Sequence, residues 1–255
     1  ETLLQCIGGK DLSFDEARGF MDELTAGNLA PSQTSAYLVA LNAKGITADE
    51  IAGCASVLQK KRVPIDLEKP VLDTCGTGGD GAGSFNISSM AALAAAGAGA
   101  AVAKHGNRAV SSLSGSADFY SKLGINIDLS PEETRGLIND TGFGFLFAPI
   151  YHRAMRYAAT VRRELGFKTI MNMLGPLANP AGAKYQLLGV YDPDYCVPMA
   201  EAAVKLGAER VLVVHGNDGL DEISVSTTSR TVYADAGGAL EIGEFDPEKH
   251  GLPLY

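Results

Sequence analysis

The sequence predicts an α/β fold in two parts: a small all-helical N-terminal domain over residues 1–65, then a larger α/β domain over 66–255 with a mainly parallel central sheet. Two patterns predict it. Capping-box signals followed by helically spaced apolar residues fill the opening, and short apolar runs alternating with helical stretches begin at Val71. A chain of 255 residues with 46% hydrophobic and 20% charged residues can build a buried core, which excludes disordered and fibrous classes.

The first helix signal is Ser13-Phe14-Asp15-Glu16, a capping box that leads into Ala17, Phe20, Met21 and Leu24 on one face. Pro31 marks the start of the next helix. Thr47-Ala48-Asp49-Glu50 repeats the capping box before Ile51, Cys54, Ala55 and Leu58, which completes a small helical bundle. The helical period breaks at Val63-Pro64-Ile65-Asp66, where a hinge is expected. Candidate buried strands follow at Val71–Asp73, Ala101–Ala103, Phe145–Phe147, Leu187–Val190 and Val211–Val214. Helices are expected from Ser130-Pro131-Glu132-Glu133 and from Asp194, and Tyr233 to Phe245, with Gly237-Gly238 at its centre, reads as a hairpin.

Charge narrows the function. With 21 basic and 30 acidic residues the formal net charge is −9, which argues against a general binder of nucleic acid or anionic membrane, so any anion site must be local. The apolar run from Met90 to Ala103 is too short and too rich in alanine and glycine to cross a bilayer. Four dispersed cysteines, Cys6, Cys54, Cys75 and Cys196, fit a reducing cytoplasm better than a disulfide framework. The chain opens at Glu1 with no basic, apolar leader pattern, and a removed leader or trimming stays open.

The sharpest local signal is Asp73-Thr74-Cys75-Gly76-Thr77-Gly78-Gly79-Asp80-Gly81, directly after a candidate strand and before a helix. It reads either as a tight turn or as an anion cradle, in which backbone amides, the helix N-terminus and the hydroxyls of Thr77 and Ser84 face a phosphate. It is neither a Walker loop nor a dinucleotide fingerprint. Phe85-Asn86-Ile87-Ser88-Ser89 adds an amide and two hydroxyls at the start of that helix, suited to capping and to phosphate alike. Lys104-His105-Gly106-Asn107-Arg108-Ala109-Val110-Ser111-Ser112-Leu113-Ser114-Gly115-Ser116-Ala117-Asp118 follows another strand and gathers cations and hydroxyls where ligand crevices form in α/β sheets.

These three segments, with Phe147-Ala148-Pro149 through Arg162-Arg163, Met173 to Pro180 and Gly219-Leu220-Asp221-Glu222-Ile223-Ser224, resemble the anthranilate phosphoribosyltransferases in order and spacing over essentially the whole chain. The resemblance implies transfer of a phosphoribosyl group from phosphoribosyl pyrophosphate to the amino group of anthranilate, with magnesium as cofactor. It implies that Gly76, Gly79, Asp80, Ser84, Asn86, Ile87, Ser88, Ser89, Lys104, His105, Gly106, Asn107, Arg108, Ala109, Val110, Ser111, Ser112 and Ser116 hold the diphosphate donor. Gly76, Asn107, His105, Pro149 and Arg162 would form the anthranilate site, and Ser88, Asp221 and Glu222 would organise magnesium. Asp221, Glu222, Lys104 and Arg162 would be the catalytic set.

Elementary chemistry is compatible with these roles. Magnesium prefers carboxylate, hydroxyl and water oxygens, and a planar guanidinium such as that of Arg162 suits a carboxylate. The 169–184 stretch, including Met173-Leu174-Gly175-Pro176, is expected to return the chain to the helical domain. A homodimer through that domain, and further helices beyond Tyr255 in family members, are also implied by the resemblance. Leu113 stands where many relatives carry lysine, and Ser89 where threonine is common. A pyrimidine nucleoside phosphorylase, or a catalytically silent binder of a phosphorylated ligand, are the alternative readings.

Overall fold

In the computed structural model, residues 1–78, 81, 83–109 and 114–253 are described. Helices α1 (Thr2–Ile7), α2 (Phe14–Ala26), α3 (Pro31–Lys44) and α4 (Ala48–Lys61) form the opening. Both expected capping boxes are present: Glu16 Oε2 accepts from Ser13 N at 2.9 Å, and Glu50 Oε2 accepts from Thr47 N at 2.9 Å. Pro31 is the first residue of α3, where its missing amide hydrogen costs nothing. Phe20, Met21 and Leu24 share a core with Leu38, Leu41, Ile51, Cys54 and Leu58, each fully buried aliphatic side chain contributing about 1.5–3 kcal/mol. Glu50 also has a structural role beyond its cap, since Oε1 accepts from Leu12 N at 2.8 Å and Lys44 Nζ lies 2.7 Å away.

The α/β part comprises β1 (Leu72–Gly76), α5 (Ile87–Gly97), β2 (Val102–Gly106), α6 (Ser116–Lys122), α7 (Pro131–Thr141), β3 (Phe143–Phe147), α8 (Ala148–Tyr151), α9 (Arg156–Leu165), α10 (Ile170–Leu174), β4 (Tyr185–Gly189), α11 (Cys196–Lys205), β5 (Arg210–Gly216), β6 (Ser229–Asp235) and β7 (Leu240–Phe245). The sheet order is β3-β2-β1-β4-β5-β6-β7, with the first five strands parallel and the β6–β7 hairpin added antiparallel. The order reverses between β1 and β4, which pair from Leu72 with Tyr185 to Gly76 with Gly189. A reversal of this kind opens a crevice beyond the strands' carboxyl ends.

Three features differ from the sequence reading. Strand β2 runs past Ala103 to Gly106, because Lys104 and His105 pair with Phe145 and Leu146 of β3 and are buried. The helix expected from Asp194 begins as a 3-10 turn, Pro193–Tyr195, capped by Asp192, and becomes α-helical at Cys196. Arg153, expected on one helix with Arg156, Arg162 and Arg163, belongs to a separate 3-10 turn, so α9 carries only the other three. After α10, Leu174, Leu177 and Ala178 enter the core of the opening helices, and Leu188, Val190, Val211 and Val213 of the sheet region join that same core.

Candidate active site at the strand ends

Four parallel strands end in glycine: Gly76 of β1, Gly106 of β2, Gly189 of β4 and Gly216 of β5. None is interchangeable with alanine, because a Cβ at each would collide with a neighbouring group: Gly76 with the Asp221 carboxylate, Gly189 with the Asp221 backbone carbonyl, Gly106 with the Ser116 hydroxyl and Gly216 with Asp218. Loops therefore fold back close over the strand ends. Gly189 and Gly216 escaped the sequence reading, which lacked the register that sets Gly76 against Gly189.

The glycine loop and the start of α5 meet the acidic pair. Gly78 N donates to Asp221 Oδ2 at 2.7 Å, while Ser88 donates to Glu222 Oε1 through N at 3.0 Å and through Oγ at 2.7 Å. Thr74 Oγ1 donates to Ser88 O at 2.8 Å, and Tyr120 OH to Ser89 O at 3.0 Å, so the helix start is fixed from both sides. Thr77 Oγ1 accepts from Tyr191 N at 3.1 Å. Asp221 is buried, and burial together with the Asp221 charge pushes the Glu222 carboxyl above its ordinary range, opposed by Ser88 and Lys104.

Lys104 is only 3% exposed and makes no ion pair within 4 Å among the described residues; Nζ donates to His105 O at 3.2 Å. Its charge acts on Glu222 and on Asp73, a fully buried carboxylate whose pKa burial raises and Lys104 lowers. Asp73 accepts from His105 N at 3.1 Å and from Asn179 Nδ2 at 2.7 Å, and Asn179 also donates to Ala103 O at 2.8 Å. Asp73 and Asn179 thus support the site from behind, a role the sequence reading did not assign.

The basic loop is clamped by another residue outside the expected set. Asp118 accepts from Arg108 Nη1 at 2.9 Å, Ala109 N at 3.1 Å and Gly115 N at 2.9 Å. Arg108 also lies over the Phe147 ring, 5.6 Å from its centroid. Asn107 O accepts from Ser116 Oγ at 3.3 Å, and Asn86 Nδ2 reaches across to Ser114 O at 3.1 Å, linking the two loops. Ser84 is exposed and Ile87 half-buried at the mouth of α5. Gly79, Asp80, Val110, Ser111, Ser112 and Leu113 lie outside the described residues.

The remaining expected residues lie on β2, α8 and α9. His105 Nδ1 lies 3.2 Å from Gly175 O, and its ring centroid is 5.0 Å from that of His152. Burial drives both imidazoles toward the neutral form, His105 well below its ordinary value and His152 down to about 4. Pro149 is exposed just past the end of β3, whose Phe147 is in register with Gly106. Arg162 is half-buried on α9, without a carboxylate partner among the described residues, and burial lowers its pKa. No hydrogen bond or ion pair ties it to the strand-end cluster among those residues.

Residues 1–61 match the helical bundle domain of the glycosyl transferase family and residues 68–255 its a/b domain, so the fold with its switch-point crevice is that of a glycosyl transferase. More narrowly, the chain belongs to the anthranilate phosphoribosyltransferase family. It is 50% identical over 248 residues to the anthranilate phosphoribosyltransferase of Moorella thermoacetica, covering 97% of this chain and 73% of that protein. The Thermus thermophilus enzyme superposes with a TM-score of 0.91 at 45% identity, covering 99% of this chain and 75% of that one. The Saccharomyces cerevisiae enzyme in complex with PRPP and Mg superposes with a TM-score of 0.86 at 29% identity, covering 100% of this chain and 75% of that one.

Gly189→Ala is expected to lower stability by about 1–3 kcal/mol, since Asp221 must shift, whereas Gly136→Ala, in open space on α7, should be neutral or stabilising. Urea midpoints of the two variants check this. The neutral histidines set a second expectation: with folded pKa values below the unfolded ~6.5, their contribution is full above pH ~6.5 and is lost as pH falls toward the folded values. His152→Asn should therefore remove about one proton from the slope of stability against pH between roughly 6.5 and 4. An unchanged slope would show that His152 does not titrate differently on folding.

Proposed function

We propose that the protein transfers the 5-phosphoribosyl group of phosphoribosyl pyrophosphate to the amino group of anthranilate, releasing pyrophosphate and giving N-(5-phosphoribosyl)anthranilate for tryptophan biosynthesis. The observation that carries this reading is the acidic pair Asp221 and Glu222, brought onto the donors of the glycine loop and α5 at the switch point. Backbone amides and the helix start suit the diphosphate, and Lys104 supplies buried positive charge beside them. Ser88, Asp221 and Glu222 offer an oxygen-only set that fits magnesium, an ion commonly held by one or two carboxylates with substrate phosphates. Bound there, magnesium would neutralise charge growing on the departing pyrophosphate.

The chain's own groups then act by position and electrostatics. The bond from the ribose carbon to pyrophosphate loosens, leaving oxocarbenium character at that carbon, and the anthranilate amine attacks from the opposite face, its surplus proton passing to the released pyrophosphate or to solvent. Arg162 would pair with the anthranilate carboxylate, and Asn107, His105, Pro149 and Gly76 would border the ring. No covalent enzyme intermediate is needed. Cys75, the cysteine nearest the chemistry, is buried, and burial pushes its thiol well above its ordinary pKa, which argues against a nucleophilic role.

The assembly proposed is a cytoplasmic homodimer joined through the helical layer, which exposes Leu4 and Ile7 on α1 and Val39 on α3. All four cysteines are free, in keeping with a reducing compartment. Among the described residues, no helix is long and apolar enough to cross a membrane.

Anthranilate fluorescence should fall only when protein, phosphoribosyl pyrophosphate and magnesium are all present. Arg162→Ala should lower kcat/KM for anthranilate roughly 30-fold, the loss of one charge-assisted interaction worth about 2 kcal/mol, and Asp221→Ala/Glu222→Ala should abolish turnover. A fluorescence loss unaffected by these changes would sink the assignment. Sedimentation velocity over a range of concentrations tests the dimer, which a concentration-independent monomer rules out.

A further inference from the structure

We propose that the cavity at the amino ends of β4 and β5 is a second binding site, held by Arg62 and Lys184, for a small oxyanion bearing a carboxylate or phosphate group. It lies at the opposite end of these strands from the switch-point crevice and does not depend on the phosphoribosyl reading. Gln59 in the last turn of α4 and Arg62 just after it form one wall. Lys184 and Gln186 enter from the start of β4, and Leu206 and Gly207 from just past α11. The cavity has a volume of about 250 Å³, below the roughly 300–1,000 Å³ of pockets that take drug-sized molecules, so its occupant is an ion or a small metabolite.

The side chains around the cavity select an anion. Arg62 is half-buried, makes neither a hydrogen bond nor an ion pair within 4 Å among the described residues, and its Nε is buried without an acceptor. Burial lowers its pKa, opposed by the charge of Asp66 from beyond salt-bridge distance. A guanidinium removed from water without acceptors is costly, and an oxyanion supplies them. Lys184 Nζ gives one hydrogen to Gly207 O at 2.9 Å, which satisfies a carbonyl past the end of α11 and leaves two hydrogens to give. Arg62 has no such capping duty. Gln186 is 8% exposed, and its side-chain amide has no hydrogen bond among the described residues, so it can turn its NH2 toward a ligand oxygen.

The walls are held in place. The Arg62 guanidinium lies against Gly182, where an added Cβ would stand 3.3 Å from Nη2. Beyond Arg62 the backbone is tied twice, Val63 N donating to Tyr151 O at 3.0 Å and Ile65 N to Pro180 O at 3.1 Å, while Gln59 Nε2 donates to Leu177 O at 2.8 Å. Two cations from different parts of the fold thus share one small cavity on a chain whose net charge is −9, and a counter-charge between them relieves their repulsion. The Arg62 charge also reaches His152, where it adds to burial in lowering the pKa. An anion on Arg62 therefore changes the field at the His105–His152 pair.

The test is amide NMR of the intact chain titrated with sodium phosphate and, separately, with sodium malonate, against sodium chloride at equal ionic strength. The Gly182 and Gly207 resonances should shift saturably with at least one of the two oxyanions, and Arg62→Gln should weaken that binding at least ~10-fold. Saturation by malonate alone identifies a carboxylate ligand, and saturation by phosphate alone a phosphate. Gly78 reports the switch-point crevice in the same spectra, so binding there is read separately. Shifts at Gly182 and Gly207 that only follow chloride would overturn the proposal, as would a folded Arg62→Gln protein with unchanged affinity. Should that variant fail to fold, Lys184→Gln decides on the same ~10-fold criterion.

Discussion

The carboxylate of Asp73, fully buried at the middle of the sheet, is the constraint on which the rest of the site depends. It belongs to β1, takes the backbone amide of His105 in β2, and is held by Asn179 from the segment that has just left the core of the opening helices. A buried carboxylate is tolerable only when its hydrogen-bonding capacity is used and a compensating charge is near. Asn179, His105 and Lys104 meet those needs. In doing so they tie β1, β2 and the segment after α10 together at the floor of the crevice.

Above that floor, room is made by subtraction. The strand-ending glycines let Asp221, Ser116 and Asp218 approach the backbone more closely than any side chain would permit. The acidic pair can then reach the glycine loop although it follows a different strand. Charge is balanced locally instead of by the whole molecule, whose net charge is −9. Lys104 inside and the Asp118 clamp on Arg108 outside give the two basic side chains different surroundings, one buried within range of the acidic pair and the other spent on holding its loop.

Much of the architecture was legible because it is written in local patterns. Capping boxes at Ser13, Thr47 and Ser130 fix helix starts within four residues, and runs such as Val211 to Val214 fit a buried strand. Strand β6 was less visible, since Ser229 to Asp235 mixes polar and apolar residues without a continuous run, and α1 and α6 are too short to show a period. At the site, the glycine loop and the Ser88 helix start stand out as contiguous motifs. What sequence could not display is pairing at a distance: Asn179 with Asp73, Gly189 beneath Asp221, and Asp118 closing on Arg108. The family resemblance selected Arg162, and no local pattern distinguishes it from its neighbour Arg163.

The pairing of β1 with β4 also bears on how the molecule is made. These neighbours at the centre of the sheet are separated in the chain by β2, β3 and helices α5 to α10. Their ladder, and with it the switch-point crevice, cannot close until that whole stretch has emerged and its ends have been brought together. Loop closure over such a distance must precede any reward from the contacts, which places this protein among topologies that fold slowly and expose unpaired strand edges meanwhile. During synthesis, then, the glycine loop emerges well before the strand that completes its floor.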